Sequence, residues 1–431
     1  MKVSQNWLKS LVEINTTPDD LSEKLSIGGF EVESLIDCSS NVKGVVLGKV
    51  LSVVKHDNSE KLSICSVDIG SSNPLQIICG AKNIKPNIHV YVATVGAHLS
   101  AINMTIKRSE IRGVLSEGMI CSLEELGVED TSEGIAIINE DIVSKHKLGT
   151  SGALLLDLND YIYDLAITAN RPDGMSVVGI AREISALLET KFTFPELKTK
   201  YQINVNKKFE LCPEAITNNC LYSICHISSV KGKELSPQWL KDRLHKSGIK
   251  SINLLVDITN YILLEQGQPL HAFDKDKLSS LIGREVVPED FSVRKGKDNE
   301  SLLCLNGENY DLNENVTIVA CNDIPVAVAG VIGGLETAVN DDTSSIFLEG
   351  AVFNPVTVRK SSKEIGIRTE SSSRFEKGIS YKNTLDSVTR AINILEEYFH
   401  VPNPIINTSI KLSNTETLIP LRRERIHKLL G

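Results

Sequence analysis

No stretch of this 431-residue sequence approaches the roughly 18 consecutive apolar residues of a membrane-spanning helix, so no membrane partner is expected. Its opening, MKVSQNWLKSLVEI, lacks the continuous apolar core of a secretory signal, and a cytoplasmic location is expected. Cysteine is thinly spread, nine residues without a paired framework, as reduced thiols would be. A structural zinc site needs four ligands, usually as two close pairs. The one cluster, Cys212, Cys220, Cys225 and His226, has no second pair after it, so buried strand thiols are the better reading and no metal is expected within the chain. Positive charge is also short. A net charge of −9 excludes a generally basic nucleic-acid binder and makes DNA an unexpected partner; any RNA contact must rest on a local patch.

What is present is a globular composition, 41% hydrophobic and 23% charged, long enough for about two to four domains. Residues 1–38 read as a helical start. Thr17-Pro18-Asp19-Asp20 supplies an N-cap, a proline at the first helical position and an acidic first turn, and Gly28-Gly29 ends the helix. From 39 to 150 the pattern changes to short strands (GVVLGKVLSVV, KLSICSVDIG, LQIICG, HVYVATVG, NMTIKRSEIRG), which predict a small β-barrel. Between Val42 and Ile120 nine Lys/Arg stand against five Asp/Glu, a local +4 in an acidic chain. Such a patch suits phosphate contact, or is simply a solvated barrel surface. Tyr91 is the only aromatic there, so base stacking is not the expected mode of recognition.

Residues 151–205 read as a connection: an alternating strand over 161–168, a turn at Asn170–Gly174, a helix carrying Val177, Ile180, Ala181, Ile184, Leu187 and Leu188, and a polar connector over 191–207. Residues 206–400 mix strands and helices. Ser236-Pro237 is expected to cap one helix, Asn306-Gly307 to turn a hairpin, and Gly330-Val331-Ile332-Gly333-Gly334 to form a tight turn. Residues 401–431 add one short helix. The fold class expected is α+β, multidomain.

The stretch SINLLVDITNYILLEQGQPLHAFD, Ser251 to Asp274, organises the third module. Leu254, Leu255, Ile258, Tyr261 and Ile262 form one helical stripe, Gly267 and Pro269 stop it, and an extended Leu270-His271-Ala272-Phe273 follows, placing His271 where the helix gives way to irregular backbone. A lone histidine there is ordinarily a surface or packing residue. The strings VDITNY and GQPLHAFD, however, resemble the editing domain of the bacterial-type phenylalanine–tRNA ligase beta-subunit family. Downstream, LEGA (Leu348–Ala351), GIRTE (Gly366–Glu370) and RFEKG (Arg374–Gly378) agree in the same order. GGFEVES, GKVLSVVKHDNSEKLSICSVDIG, IRGVLSEGMICSLEELG and TANRPDGMSVVGIAREISALL extend the likeness toward the beginning of the chain.

The resemblance implies an OB-fold-type tRNA-binding domain at 39–150, with Lys49, Lys61, Lys82, Arg108 and Arg112 as candidate phosphate contacts. It implies a B3/B4-like editing domain at 206–400 and the truncated start of a B5-like domain at 401–431. The expected activity is hydrolysis of tyrosine mischarged onto tRNA(Phe), in support of ATP- and magnesium-dependent aminoacylation by an alpha subunit in an α2β2 heterotetramer. No cofactor is expected on this chain itself. A pocket for phenylalanine excludes an added hydroxyl by only about 10²-fold, so a second, hydrolytic site is needed. In the family's terms Glu349 reads the tyrosine hydroxyl and His271 lies near the ester and the terminal ribose. Pro269 shapes the corner, and Thr369 lines the pocket. Gly333 and Gly334 let the backbone approach and offer N–H groups. Ser371 stands where the family commonly has alanine, which bears on amino-acid preference. A free-standing deacylase and a non-catalytic tRNA-binding scaffold remain as alternatives.

Overall fold

The structure, a computed structural model, describes residues 1–129, 131–198, 201–205, 209–212, 221–409 and 418–431. The chain divides into two compact units, Lys2–Lys9 with Asn15–Leu165, and Met1 and Ser10–Ile14 with Ala166–Gly431.

In the first unit Thr17 caps the helix Pro18–Ile27 through the backbone N–H of Asp20, as the sequence predicts. The opening is not purely helical, because Lys2–Ser4 is a strand paired with Ile162–Asp164. Five strands, in the order Gly118–Ile120, His89–Thr94, Val45–Lys55, Ser63–Asp68 and Leu75–Cys79, form one antiparallel sheet. Its ends approach each other. The Glu117 N–H donates to the Gln76 carbonyl at 2.8 Å, and the Ile78 N–H donates to the Ser116 hydroxyl at 3.1 Å. The result is a nearly closed, barrel-like sheet around Val50, Cys65, Val67, Ile77, Val90 and Val92. NMTIKRSEIRG is not one of its strands. It splits between two small ribbons, Met104–Thr105 with His98–Leu99 and Ser109–Ile111 with Val114–Ser116. Arg112 (φ 52°) and Gly113 (φ 88°) make the second turn, whose left-handed residues double the chain back at once.

The second unit carries two five-stranded sheets. One runs Gln202–Val205, Ile405–Thr408, Leu221–Ser228, Ser345–Val352, Leu270–Asp274; the other runs Glu210–Leu211, Phe291–Lys295, Thr317–Cys321, Ile324–Val328, Ile332–Gly333. Tyr222, Ile224, Phe273, Phe347 and Ala351 of the first pack with Phe291, Val293, Val319 and Val328 of the second in one apolar core. On the first sheet's other face, Gly350 admits the Val388 side chain of the helix Tyr381–Leu395 so closely that a Cβ would collide with it.

The helix Leu254–Gln266 is capped by Asn253 and closed by left-handed Gly267 (φ 73°). It is buried on more than the predicted stripe. Asp257 and Glu265 are buried too, Asp257 accepting from the Ser236 and Ser251 hydroxyls and the Ile252 N–H, Glu265 from Tyr261 and Arg390. Ser236 therefore does not cap the next helix, which starts at Gln238. The expected Asn306-Gly307 hairpin is present, joining Glu300–Leu303 to Asn309–Leu312.

Candidate functional site

His271 does not emerge on irregular backbone. It lies in the edge strand Leu270–Asp274, which pairs antiparallel with Ser345–Val352 so that His271 is directly opposite Glu349. Opposed residues point to the same side of a sheet with Cβ atoms roughly 5 Å apart. Residues 78 positions apart are thus neighbours by register alone. Gln268 fixes the approach: its amide donates to the Pro269 and Ala351 carbonyls (3.0 and 2.9 Å), and its carbonyl accepts from Thr384 at 2.9 Å.

The two side chains border a small cleft that is open to solvent. Pro269, Leu270, Val319, Ala327, Val328, Gly330, Val331, Ile332, Gly333, Ser371 and Phe375 complete its walls. The walls are apolar apart from His271, Glu349, Ser371 and backbone. Glu349 is 8% exposed, and burial raises its carboxyl from the ordinary 4.5 to about 7 despite the opposing hydrogen bond from Tyr222. His271 is partly buried, with its ring edge-on to Phe273 (4.4 Å between centroids), and burial lowers it from 6.5 to about 4. The imidazole is therefore neutral at pH 7. Its Nε2 is buried and has no hydrogen-bond partner among the described residues, a state that costs about 1–3 kcal/mol and that a hydroxyl group of a ligand would relieve.

Gly333 explains where that nitrogen points. A Cβ at this position would lie 2.7 Å from Nε2 and closer still to Cε1, so only glycine leaves room for the ring. Gly334 differs from expectation: it is absent from the cleft wall, and its N–H donates to the Val326 carbonyl at 2.8 Å. It is not open to a ligand. Nor does Thr369 line the cleft. Its hydroxyl accepts from the Ser372 N–H and donates to the Val331 carbonyl at 2.8 Å, clamping the 330–333 turn to the helix Glu370–Lys377. Tyr222 escaped the sequence reading. Its phenol donates to Glu349 Oε2 at 3.1 Å, and the only signal was a polar-tipped aromatic alternating with Ile224 along a buried strand.

Of the basic residues predicted in the first unit, Lys61 and Lys82 are exposed and Lys49 is partly buried. Arg108 is ion-paired with Glu117, and Arg112 donates to the Asn58 carbonyl at 3.0 Å. Cys220 of the candidate zinc cluster lies outside the described residues, as does part of the 191–207 connector. Cys225 and His226 are adjacent in a strand and so face opposite sides. Among the described residues no three His, Cys, Asp or Glu side chains gather as a metal site would require.

Residues 218–400 match the family described as "B3/4 domain", and residues 45–147 the one described as "Putative tRNA binding domain". The phenylalanine–tRNA ligase beta subunit of Prochlorococcus marinus subsp. pastoris is 83% identical over the whole chain and 52% of its own length. That of Prochlorococcus marinus strain MIT 9312 is 74% identical over 53% of its length, and that of Synechococcus sp. strain CC9902 45% identical over 52%. The chain thus spans about half the length of the curated relatives it matches. Among solved structures, an N-terminal fragment of the phenylalanyl-tRNA synthetase beta subunit from Pyrococcus horikoshii aligns over 48% of this chain and 62% of that one. Its 16% identity and TM-score of 0.24 are too low for a likeness of fold to be read. Identity to these phenylalanine–tRNA ligase beta subunits is sustained from the first residue of the chain to the last.

Proposed function

We propose that this chain is the N-terminal portion of a phenylalanine–tRNA ligase beta subunit, and that it binds tRNA(Phe) and hydrolyses tyrosine mischarged onto it. The observation that carries this reading is the register pairing of His271 with Glu349 at the mouth of an apolar cleft. Val319, Val328, Ile332 and Phe375 offer apolar contact to a tyrosyl ring, whose phenol would donate to the Glu349 carboxylate. A phenylalanyl ring offers no such donor, and leaves a buried carboxylate with one acceptor unused.

Neutral His271 acts by orienting water or the terminal ribose rather than as a charged acid, since burial keeps it unprotonated at working pH. Gly333 holds the space for it, Pro269 and Ser371 shape the walls, and Thr369 fixes the turn behind Val331. Gly334 serves the sheet rather than the ester. The barrel-like sheet is read as an OB-fold-type module meeting the tRNA backbone through Lys61 and Lys82, with Lys49, Arg108 and Arg112 in support. In this reading aminoacylation, with its ATP and magnesium, belongs to the complete α2β2 assembly and to the alpha subunit.

The test is hydrolysis of tyrosyl-tRNA(Phe) and phenylalanyl-tRNA(Phe). Glu349→Ala is expected to lose the preference for the tyrosyl ester, and His271→Ala to slow hydrolysis without abolishing it. Equal rates on the two esters for the unaltered protein would remove Glu349 from its role.

A further inference from the structure

Glu349 has two carboxylate oxygens, and the protein treats them differently. Oε2 accepts the phenol of Tyr222 at 3.1 Å, whereas Oε1 has no hydrogen-bond partner among the described residues. Tyr222 itself is 1% exposed, on the strand flanking the Glu349 strand on the side away from His271. Its ring is held edge-on against Phe209, with centroids 5.5 Å apart. A phenol so buried keeps its single proton; burial and then the neighbouring carboxylate both push it well above its ordinary value. Among the described residues Glu349 Oε2 accepts that proton. Once it is committed to Oε2, the lone pairs of Oε1 are left for whatever enters the cleft.

We propose that Tyr222 is a positioning residue for substrate discrimination, holding Glu349 with one oxygen occupied and the other presented to the para-hydroxyl of the aminoacyl group. The proposal rests on the editing reading above and names the residue that makes Glu349 selective. Without the phenol, a buried carboxyl has no donor and protonates more readily, and a protonated carboxyl can donate as well as accept. The distinction between a ring with a hydroxyl and one without is then blunted. The titratable groups facing the carboxyl are Tyr222 and His271 from the flanking strands, and the Cys321 thiol from the opposing sheet beside Tyr222. His271 is neutral over the relevant range and Cys321 stays protonated, its thiol pushed up to about 12 by burial. The pH response therefore reports the Tyr222–Glu349 pair.

The experiment measures the ratio of tyrosyl- to phenylalanyl-tRNA(Phe) hydrolysis across pH. It uses the complete ligase assembly carrying the unaltered chain, Tyr222→Phe, Glu349→Gln, or ring-fluorinated tyrosine at 222, which is a stronger donor of the same shape. The unaltered ratio is expected to rise with pH through a midpoint near 7. Tyr222→Phe should move that midpoint up by roughly one unit, a loss of selectivity of about tenfold below it. The fluorinated residue should move it down, and this arm decides the question if Tyr222→Phe does not fold. An unchanged midpoint in both, with selectivity still lost in Glu349→Gln, overturns the role of Tyr222 and leaves the editing reading standing. No selectivity in the unaltered assembly overturns both.

Discussion

The site turns on two side chains whose charge states burial has moved in opposite directions. Glu349 is raised from 4.5 to about 7, so the stability it contributes is fully present below 4.5 and is lost as pH rises through about 7. His271 is lowered from 6.5 to about 4, so its contribution is present above 6.5 and is lost as pH falls through about 4. Glu349→Gln removes only the first dependence. Thermal melts should show the variant gaining on the unaltered protein as pH rises from 4.5 to about 7, with the difference constant above that. Gly333→Ala acts on the other partner. Its methyl would occupy the space of the imidazole edge, and overpacking of this kind costs about 1–3 kcal/mol. We expect hydrolysis to fall at least as far as in His271→Ala, with a lower melting temperature that His271→Ala does not share; Gly333→Ala with His271→Ala together should recover the melting temperature.

At the scale of elements, the helix ahead of the site was the most legible part. Its apolar stripe, its end at left-handed Gly267 and the hairpin at Asn306-Gly307 follow from local chemistry that a sequence displays openly. Asn253→Ala should cost about 1 kcal/mol in denaturant unfolding through loss of the N-cap bond to Val256. What sequence hid was long-range. Asp257 and Glu265 look like solvent-facing acids and are instead buried hydrogen-bond centres, because distant Ser236 and Arg390 join their local donors. The extended backbone of 270–273 was legible, but its place in a sheet was not: these residues form a strand only because Ser345–Val352 is there to pair with them. Tyr222 was missed because burial against Glu349 cannot be read from alternation. Resemblance, rather than pattern, carried the pairing of His271 with Glu349, and the register supplies its physical basis.

Over the whole molecule, charge is divided unevenly. A chain of net −9 carries a stretch from Val42 to Ile120 in which bases outnumber acids nine to five. Arg108 and Arg112 are engaged by the protein itself, which leaves the lysines as the freer candidates for phosphate contact. Replacing both Lys61 and Lys82 with Glu should weaken tRNA binding and flatten its dependence on salt, by roughly 0.7–0.9 in log–log slope for each phosphate that is no longer neutralised. Arg112→Ala should change the slope less and destabilise the turn it holds. Binding titrations at several salt concentrations distinguish the two.

The edge-strand pairing has a further consequence. Along a strand, side chains alternate between faces, so sliding 270–274 past its neighbour by a single position would keep the ladder bonded and yet turn His271 toward the helices. On the editing reading, proofreading competence therefore depends on correct threading of this one ladder: a mispaired chain could still look folded by its secondary structure and would clear wrongly charged tyrosine more slowly.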